Sequence, residues 1–195
     1  MLTPLHQRLI ALVTLAAVIA MIIVLCLYKV FDFDIWWHIK AGEVMLDQKR
    51  LITVDPFAFT RVGLPYLATH EWLAQVIFAL FYRLGGSMGI IVLRTVLMLA
   101  LALCLALIDR RRLWLYASAL PVFLSMMIPG MVDRPQLFTF ALHALALLLA
   151  STYLSTKSST IRGHLLIGFV LLEILWVQLH GAAALAGIAV LGALF

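Results

Sequence analysis

Phe31-Asp32-Phe33-Asp34-Ile35-Trp36-Trp37-His38 opens, and Thr69-His70-Glu71-Trp72 closes, the one long polar interval of a chain that is otherwise a succession of apolar runs. Six of the nine acidic residues lie between those ends (Asp32, Asp34, Glu43, Asp47, Asp55, Glu71), with two of the six histidines. On either side, apolar runs of about twenty residues recur, each long enough to cross roughly 30 Å of hydrocarbon. The interval decides the fold, because the rest of the chain reads as membrane helix and this stretch must lie at its boundary.

The composition agrees. The 195 residues are 65% hydrophobic and 12% charged, against about a quarter charged in a soluble domain. Several separate apolar runs exclude a single soluble core. The net charge of +5 is a topology signal: the basic residues sit at the ends of apolar runs and form no patch with interleaved aromatics, which excludes a nucleic-acid interface. Cys26 and Cys104 lie inside apolar runs with no CxxC or Cys/His spacing, so neither a disulfide framework nor a thiolate metal site is indicated. The first run is long and ends without a small-residue cleavage site, so it reads as an uncleaved span.

In order, the expected fold is all-α: a polytopic transmembrane helix bundle with an extracytoplasmic loop carrying interfacial helices. Residues 1–195 form a single membrane domain with spans at about 9–29, 88–108, 113–129, 137–156, 165–180 and 182–195, and the loop at about 30–86. The last run stops at Phe195 while still apolar, so the domain is expected to continue beyond it. Residues 34–50 predict an interfacial helix with Ile35, Ile39 and Leu46 on one face, Trp36 at its border, His38 and Glu43 flanking it, and Lys40, Asp47 and Gln48 turned away. Asp55-Pro56, Gly63 and Pro65 break any helix over 51–70. Residues 70–84 predict a second helix whose apolar part is too short to cross, stopped by Gly85-Gly86. Residues 157–164 read as a polar turn.

Short loops set the orientation. With the amino terminus in the cytoplasm, Arg8, Arg110, Arg111, Arg112, Lys157 and Arg162 all fall inside, provided that 70–84 does not cross. Seven of the nine carboxylates then share the extracytoplasmic face, and the setting is a multi-pass protein of the cell inner (cytoplasmic) membrane.

That segregation defines the candidate chemistry. A partly buried carboxylate at an interface can act as a general base on a hydroxyl. Asp34, and after it Asp32, are the candidates, and capping of the helix that follows by Asp34 is the alternative reading. Asp34, His38, His70 and Glu71 offer oxygen and imidazole ligands to a divalent cation, with Asp34 and Glu71 the first choices, or else the histidines merely face the interface. Arg94 and Glu173 lie in or near hydrocarbon, where an ionisable group needs a partner or a cavity. Arg94 can meet a phosphate or snorkel to the headgroups. Glu173 needs a buried polar partner or a proton. Arg134, beside Pro135 at a helix start, suits an anion or the headgroup layer.

The order of features resembles the GT-C superfamily of polytopic glycosyltransferases: a first span, an extracytoplasmic loop with acidic residues at its start (Asp32, Asp34), an interfacial helix ending in Gly85-Gly86, Arg94 opening the next span, and the Arg110 to Arg112 turn. Asp34-Ile35-Trp36-Trp37-His38, Asp55-Pro56-Phe57-Ala58-Phe59-Thr60, His70-Glu71-Trp72-Leu73 and Arg134-Pro135-Gln136 are similar to an uncharacterised bacterial membrane-protein group near those enzymes. The resemblance implies transfer of a sugar from a polyprenyl-phosphate donor to an extracytoplasmic acceptor, with Asp34 or Asp32 as base and Arg94 or Arg134 steadying the donor phosphate. The expected partners are membrane lipids and the lipid-linked sugar. The reading from a different class is a non-catalytic subunit or scaffold that packs against other membrane subunits. A transporter, suggested only by Glu173, lacks repeated halves.

Overall fold

The computed structural model describes residues 4–108, 132–181 and 192. Among them the chain is all-α, with one isolated antiparallel bridge between Val54 and Pro65. The helices are α1 (Pro4–Cys26), α2 (Asp34–Gln48), α3 (Trp72–Ile108), α4 (Gln136–Ser155) and α5 (Ser159–Leu179), with single 3-10 turns at Phe59–Arg61 and Thr69–Glu71. The chain is a membrane protein: α3, α4 and α5 are each long and apolar enough to cross a bilayer, and Leu12–Cys26 of α1 is a shorter apolar helix. The spans expected at 113–129 and 182–195 lie outside the described residues, apart from Gly192.

Boundaries differ from expectation where a local hydrogen bond decides them. The first span was drawn to residue 29, but α1 stops at Cys26, which leaves the Tyr28 carbonyl free of the helix to accept from Arg94. The polar turn drawn over 157–164 is shorter, because the Ser158 hydroxyl accepts from the Ile161 amide and starts α5 at Ser159. This is the usual role of serine ahead of a helix.

The short helix expected over 70–84 is the first arm of α3. Gly86 adopts φ 57° and ψ −141° inside it, a backbone region closed to residues with a Cβ. A methyl group at Gly89 would overlap the Phe81 carbonyl, although residues eight apart in a straight helix are about 12 Å apart along the axis. The chain therefore folds back at Gly86, and Ile90 and Leu93 of the second arm pack with Ala74 and Phe78 of the first. The second arm, some 22 residues or about 33 Å of helix, is long enough to span by itself.

Helix α2 lies along that first arm. Its buried residues are Ile35, His38, Ile39, Ala41, Gly42 and Met45, so the inner face is rotated from the one expected: Leu46 is only half-buried, and His38 lies inside. Gly42 causes the rotation. A Cβ there would overlap the Gln75 carbonyl and Ala79, so α2 approaches α3 backbone to backbone. Ile35 and Ile39 then join Phe78, Ile90, Phe138 and Leu179, where α2, α3, α4 and α5 meet. Ile22 and Cys26 tie α1 to Met98 and Leu137. Elsewhere, Leu12, Val13 and Val24 of α1 and Ile167, Val170, Leu171 and Ile174 of α5 face outward, as a lipid-facing surface requires.

If Gly42 sets this approach, Gly42→Ala should destabilise the protein by about 1–3 kcal/mol despite alanine's better helix propensity. Gly163→Ala, at a helical glycine whose Cβ would meet open space, should instead gain about 0.5–1 kcal/mol. Reversible unfolding in mixed micelles reads both.

Candidate functional site at one end of the bundle

The turn Asp133-Arg134-Pro135 enters α4, and its two charged side chains part company. Arg134 reaches across to the start of α2: its Nε donates to Asp32 Oδ2 at 2.6 Å and its Nη2 to Asp32 Oδ1 at 3.2 Å. The same Nη2 lies 2.8 Å from Asp34 Oδ2. Asp32 Oδ1 also accepts the Asp34 amide at 3.0 Å. Asp34 is therefore not the cap of α2: Phe33 precedes the helix without a side-chain cap, Asp32 takes the Asp34 amide, and Asp34, the first residue of α2, leans on the arginine.

This divides the two acidic residues by function. Asp32 is 7% exposed and both its oxygens are engaged. Burial pushes its carboxyl up, but the Arg134 hydrogen bonds and the Asp34 amide outweigh it, and the group titrates below the usual carboxylate range. A carboxylate so held is a poor proton acceptor. The side chains of Asp34 and Arg134 are 45% and 42% exposed, and they form the open edge.

Asp133 points the other way, into the interior. Its Oδ1 lies 3.3 Å from Arg94 Nε, with both side chains essentially fully buried. Arg94 Nη2 donates to the Tyr28 carbonyl at 3.2 Å, and the guanidinium lies 3.6 Å from the Tyr28 ring centroid, a cation-π contact in a desolvated setting. Arg94 therefore neither snorkels nor faces the headgroups. The phosphate contact foreseen for it is closed off by Asp133 and Tyr28, which leaves Arg134 as the arginine that a phosphate can reach. Burial raises the Asp133 carboxyl to about 6, with Arg94 pulling it down.

His38 is 3% exposed, its ring centroid 3.9 Å from that of Trp37. Its Nδ1 has no hydrogen-bond partner among the described residues. Burial lowers its pKa to about 4, against the pull of Asp32. Hence it is a neutral core histidine and does not share the open edge with Asp34.

The far end of the interval builds a second cluster. Glu71 Oε1 lies 3.6 Å from His70 Nε2 and 3.9 Å from His180 Nε2. The Trp176 indole donates to Thr139 Oγ1 at 3.1 Å, and Thr139 Oγ1 is 2.9 Å from His180 Nδ1. Thr139 Oγ1 thus links the Trp176 indole to the His180 ring, whose Nε2 faces Glu71. Burial raises the Glu71 carboxyl and lowers the His180 imidazole. Trp72 Nε1 donates to Gln178 Oε1 at 2.6 Å, and Gly181 lies so close to His70 that a Cβ would strike its ring.

The divalent-cation set foreseen from Asp34, His38, His70 and Glu71 is not assembled: Asp34 pairs with Arg134, His38 is buried, and Glu71 sits with two histidines. Among the described residues no group of three or more His, Cys, Asp and Glu side chains is placed to hold a metal ion. Glu173 is half-buried within α5, with Oε1 unpartnered among the described residues. Asp133, Tyr28, Thr139 and His180 were missed as site residues. The signal for Asp133 was present, since an arginine inside an apolar run requires an acid.

Comparison of the chain with protein-family models, with curated proteins and with solved structures finds no match.

The buried neutral His38 fixes a pH response. Its unfolded form binds a proton near pH 6.5 and its folded form only near 4. Its contribution is therefore intact above 6.5 and lost as the pH falls from 6.5 towards 4, by up to about 3 kcal/mol. Asp133, raised by burial, works in the opposite sense between its ordinary 3.8 and about 6, so parent and His38→Phe must be compared. Unfolding in detergent at pH 7 and at pH 4.5 should show the parent losing more stability than the variant.

Proposed function

We propose that the chain acts in a membrane glycosyltransferase of GT-C type, transferring a sugar from a polyprenyl-phosphate donor to a hydroxyl acceptor at the outer face of the cell inner membrane. One observation carries this reading: Asp34 and Arg134 form an open carboxylate-guanidinium pair at one end of a bundle of membrane helices. A sugar phosphate held in a bilayer needs these two groups side by side. In the reaction Asp34 takes the acceptor O–H proton, the acceptor oxygen bonds to the anomeric carbon, and the anomeric C–O bond to phosphate breaks with its electron pair leaving on the phosphate. Arg134 meets that charge with charge-assisted hydrogen bonds.

Asp32 is then a positioning residue, which holds the guanidinium in a fixed orientation by two hydrogen bonds. A phosphate arriving at Arg134 competes with Asp34 for Nη2 and frees the carboxylate to take a proton. The orientation, with the amino terminus inside, rests on the Arg and Lys residues of the short loops.

A second reading is favoured by the same contacts. The ion pairs made by Asp133 and Arg134 tie three segments together, as they would in a non-catalytic subunit of a larger membrane assembly.

Transfer assays on the purified full chain in nanodiscs, with polyprenyl-phosphate sugars as donors, separate the two. Asp34→Asn should lower kcat by about 100-fold or more. Arg134→Lys should chiefly raise the KM for donor, by about tenfold. Parental turnover in Asp34→Asn would remove the base assignment, and a parent inert with every donor would favour the subunit reading.

A further inference from the structure

The stretch Asp55-Pro56-Phe57-Ala58, which the transfer chemistry leaves unused, forms one wall of a cavity of about 230 Å³ whose other walls include Trp37 of α2 and Tyr66. The loop that carries it is built, not loose. The Val54–Pro65 bridge closes it, the Asp55 amide donates to the Leu64 carbonyl at 2.9 Å and the Tyr66 amide to the Thr53 carbonyl at 3.0 Å. Three aromatic rings stand at steep angles around the space: Trp37 and Tyr66 at 80° with centroids 6.4 Å apart, Phe57 and Tyr66 at 59° and 6.1 Å.

Its polar groups are few. Asp55 Oδ1 accepts the amides of Phe57 and Ala58 at 2.9 and 3.1 Å. Tyr66 is 7% exposed, and its hydroxyl is buried against the side chain of Gln75.

Size and charge narrow the guest. Cavities for drug-sized ligands run to about 300–1,000 Å³, so this one takes a single ring. Aromatic walls with a carboxylate would also suit a quaternary ammonium. However, Asp55 Oδ2 is already 3.7 Å from Arg61 Nε, which offsets the charge that would attract a cation. A neutral ring with an apolar C–H face and a rim of hydroxyls fits the aromatic walls, and one of its hydroxyls can donate to Asp55 Oδ2.

We propose that the cavity between Trp37, Phe57 and Tyr66 is a subsite for one pyranose ring of the sugar substrate, an inference that rests on the transferase reading. Saturation-transfer NMR on the full chain in nanodiscs tests it, with the methyl glycosides of glucose, mannose and N-acetylglucosamine as probes and tetramethylammonium as the cationic comparison. At least one glycoside should bind through its ring protons, and Phe57→Ala, at a 39% exposed position, should weaken it by about tenfold. Absence of glycoside binding, binding unchanged in Phe57→Ala, or binding of tetramethylammonium in its place would overturn the proposal. Transfer by the parent with an unchanged KM in Phe57→Ala would also overturn the subsite while leaving the transferase reading standing. Glycoside binding that depends on Phe57, in a parent that transfers nothing, would support the subsite and remove the transferase reading.

Discussion

Two adjacent residues of opposite charge, Asp133 and Arg134, hold three distant stretches of this chain together. Asp133 turns inward to the arginine buried in the second arm of α3, and Arg134 turns outward to the acidic start of α2. The inward pair exists because a guanidinium in an apolar bundle must be paired, and removal of either partner leaves a buried charge that costs several kcal/mol. Tyr28 completes it, its carbonyl freed by the early end of α1 and its ring under the guanidinium. The outward pair follows from the inward one, since fixing Asp133 fixes the next residue at the mouth of the bundle.

Exposure rises steadily along this strip, and chemistry follows it. Arg94 and Asp133 are shut away, Asp32 is nearly so, and Asp34 and Arg134 are open. The buried members orient and the open members are free to meet a ligand, as a preorganised site requires. The packing beneath the strip is equally direct. Gly42 lets α2 lie on the first arm of α3, and Gly86 turns that arm back on the second, so Asp32 and Asp34 are brought above Phe138 and the start of α4 through Ile35.

Most of this architecture is legible in the sequence, and the reasons for the rest are specific. Apolar runs place α1, α4, α5 and the second arm of α3, because in hydrocarbon a single continuous apolar run satisfies its own backbone groups only as a helix. The short apolar stretch before Gly85-Gly86 correctly forecasts a helix that ends there. The inner face of α2 is not legible, because a pattern of apolar residues cannot show that Gly42 is a contact point or that His38 is buried beneath Trp37. At the site, Asp34 and Arg134 are legible as candidates, but their pairing across about a hundred residues is not. Arg94 misleads for a physical reason: an arginine near the end of an apolar run has the same sequence signature whether it faces a phosphate or a buried aspartate. His180 and Thr139 carry no local signal, since their roles arise only when α4 and α5 meet the turn at Glu71.

The staple made by Arg134 on Asp32 is the contact to measure. A double-mutant cycle of Asp32→Asn and Arg134→Gln, read by reversible unfolding of the full chain in mixed micelles, isolates it from the buried pair beside it. A coupling of about 1–3 kcal/mol is expected for a two-point charge-assisted contact. Single effects that add to within about 0.5 kcal/mol would contradict it.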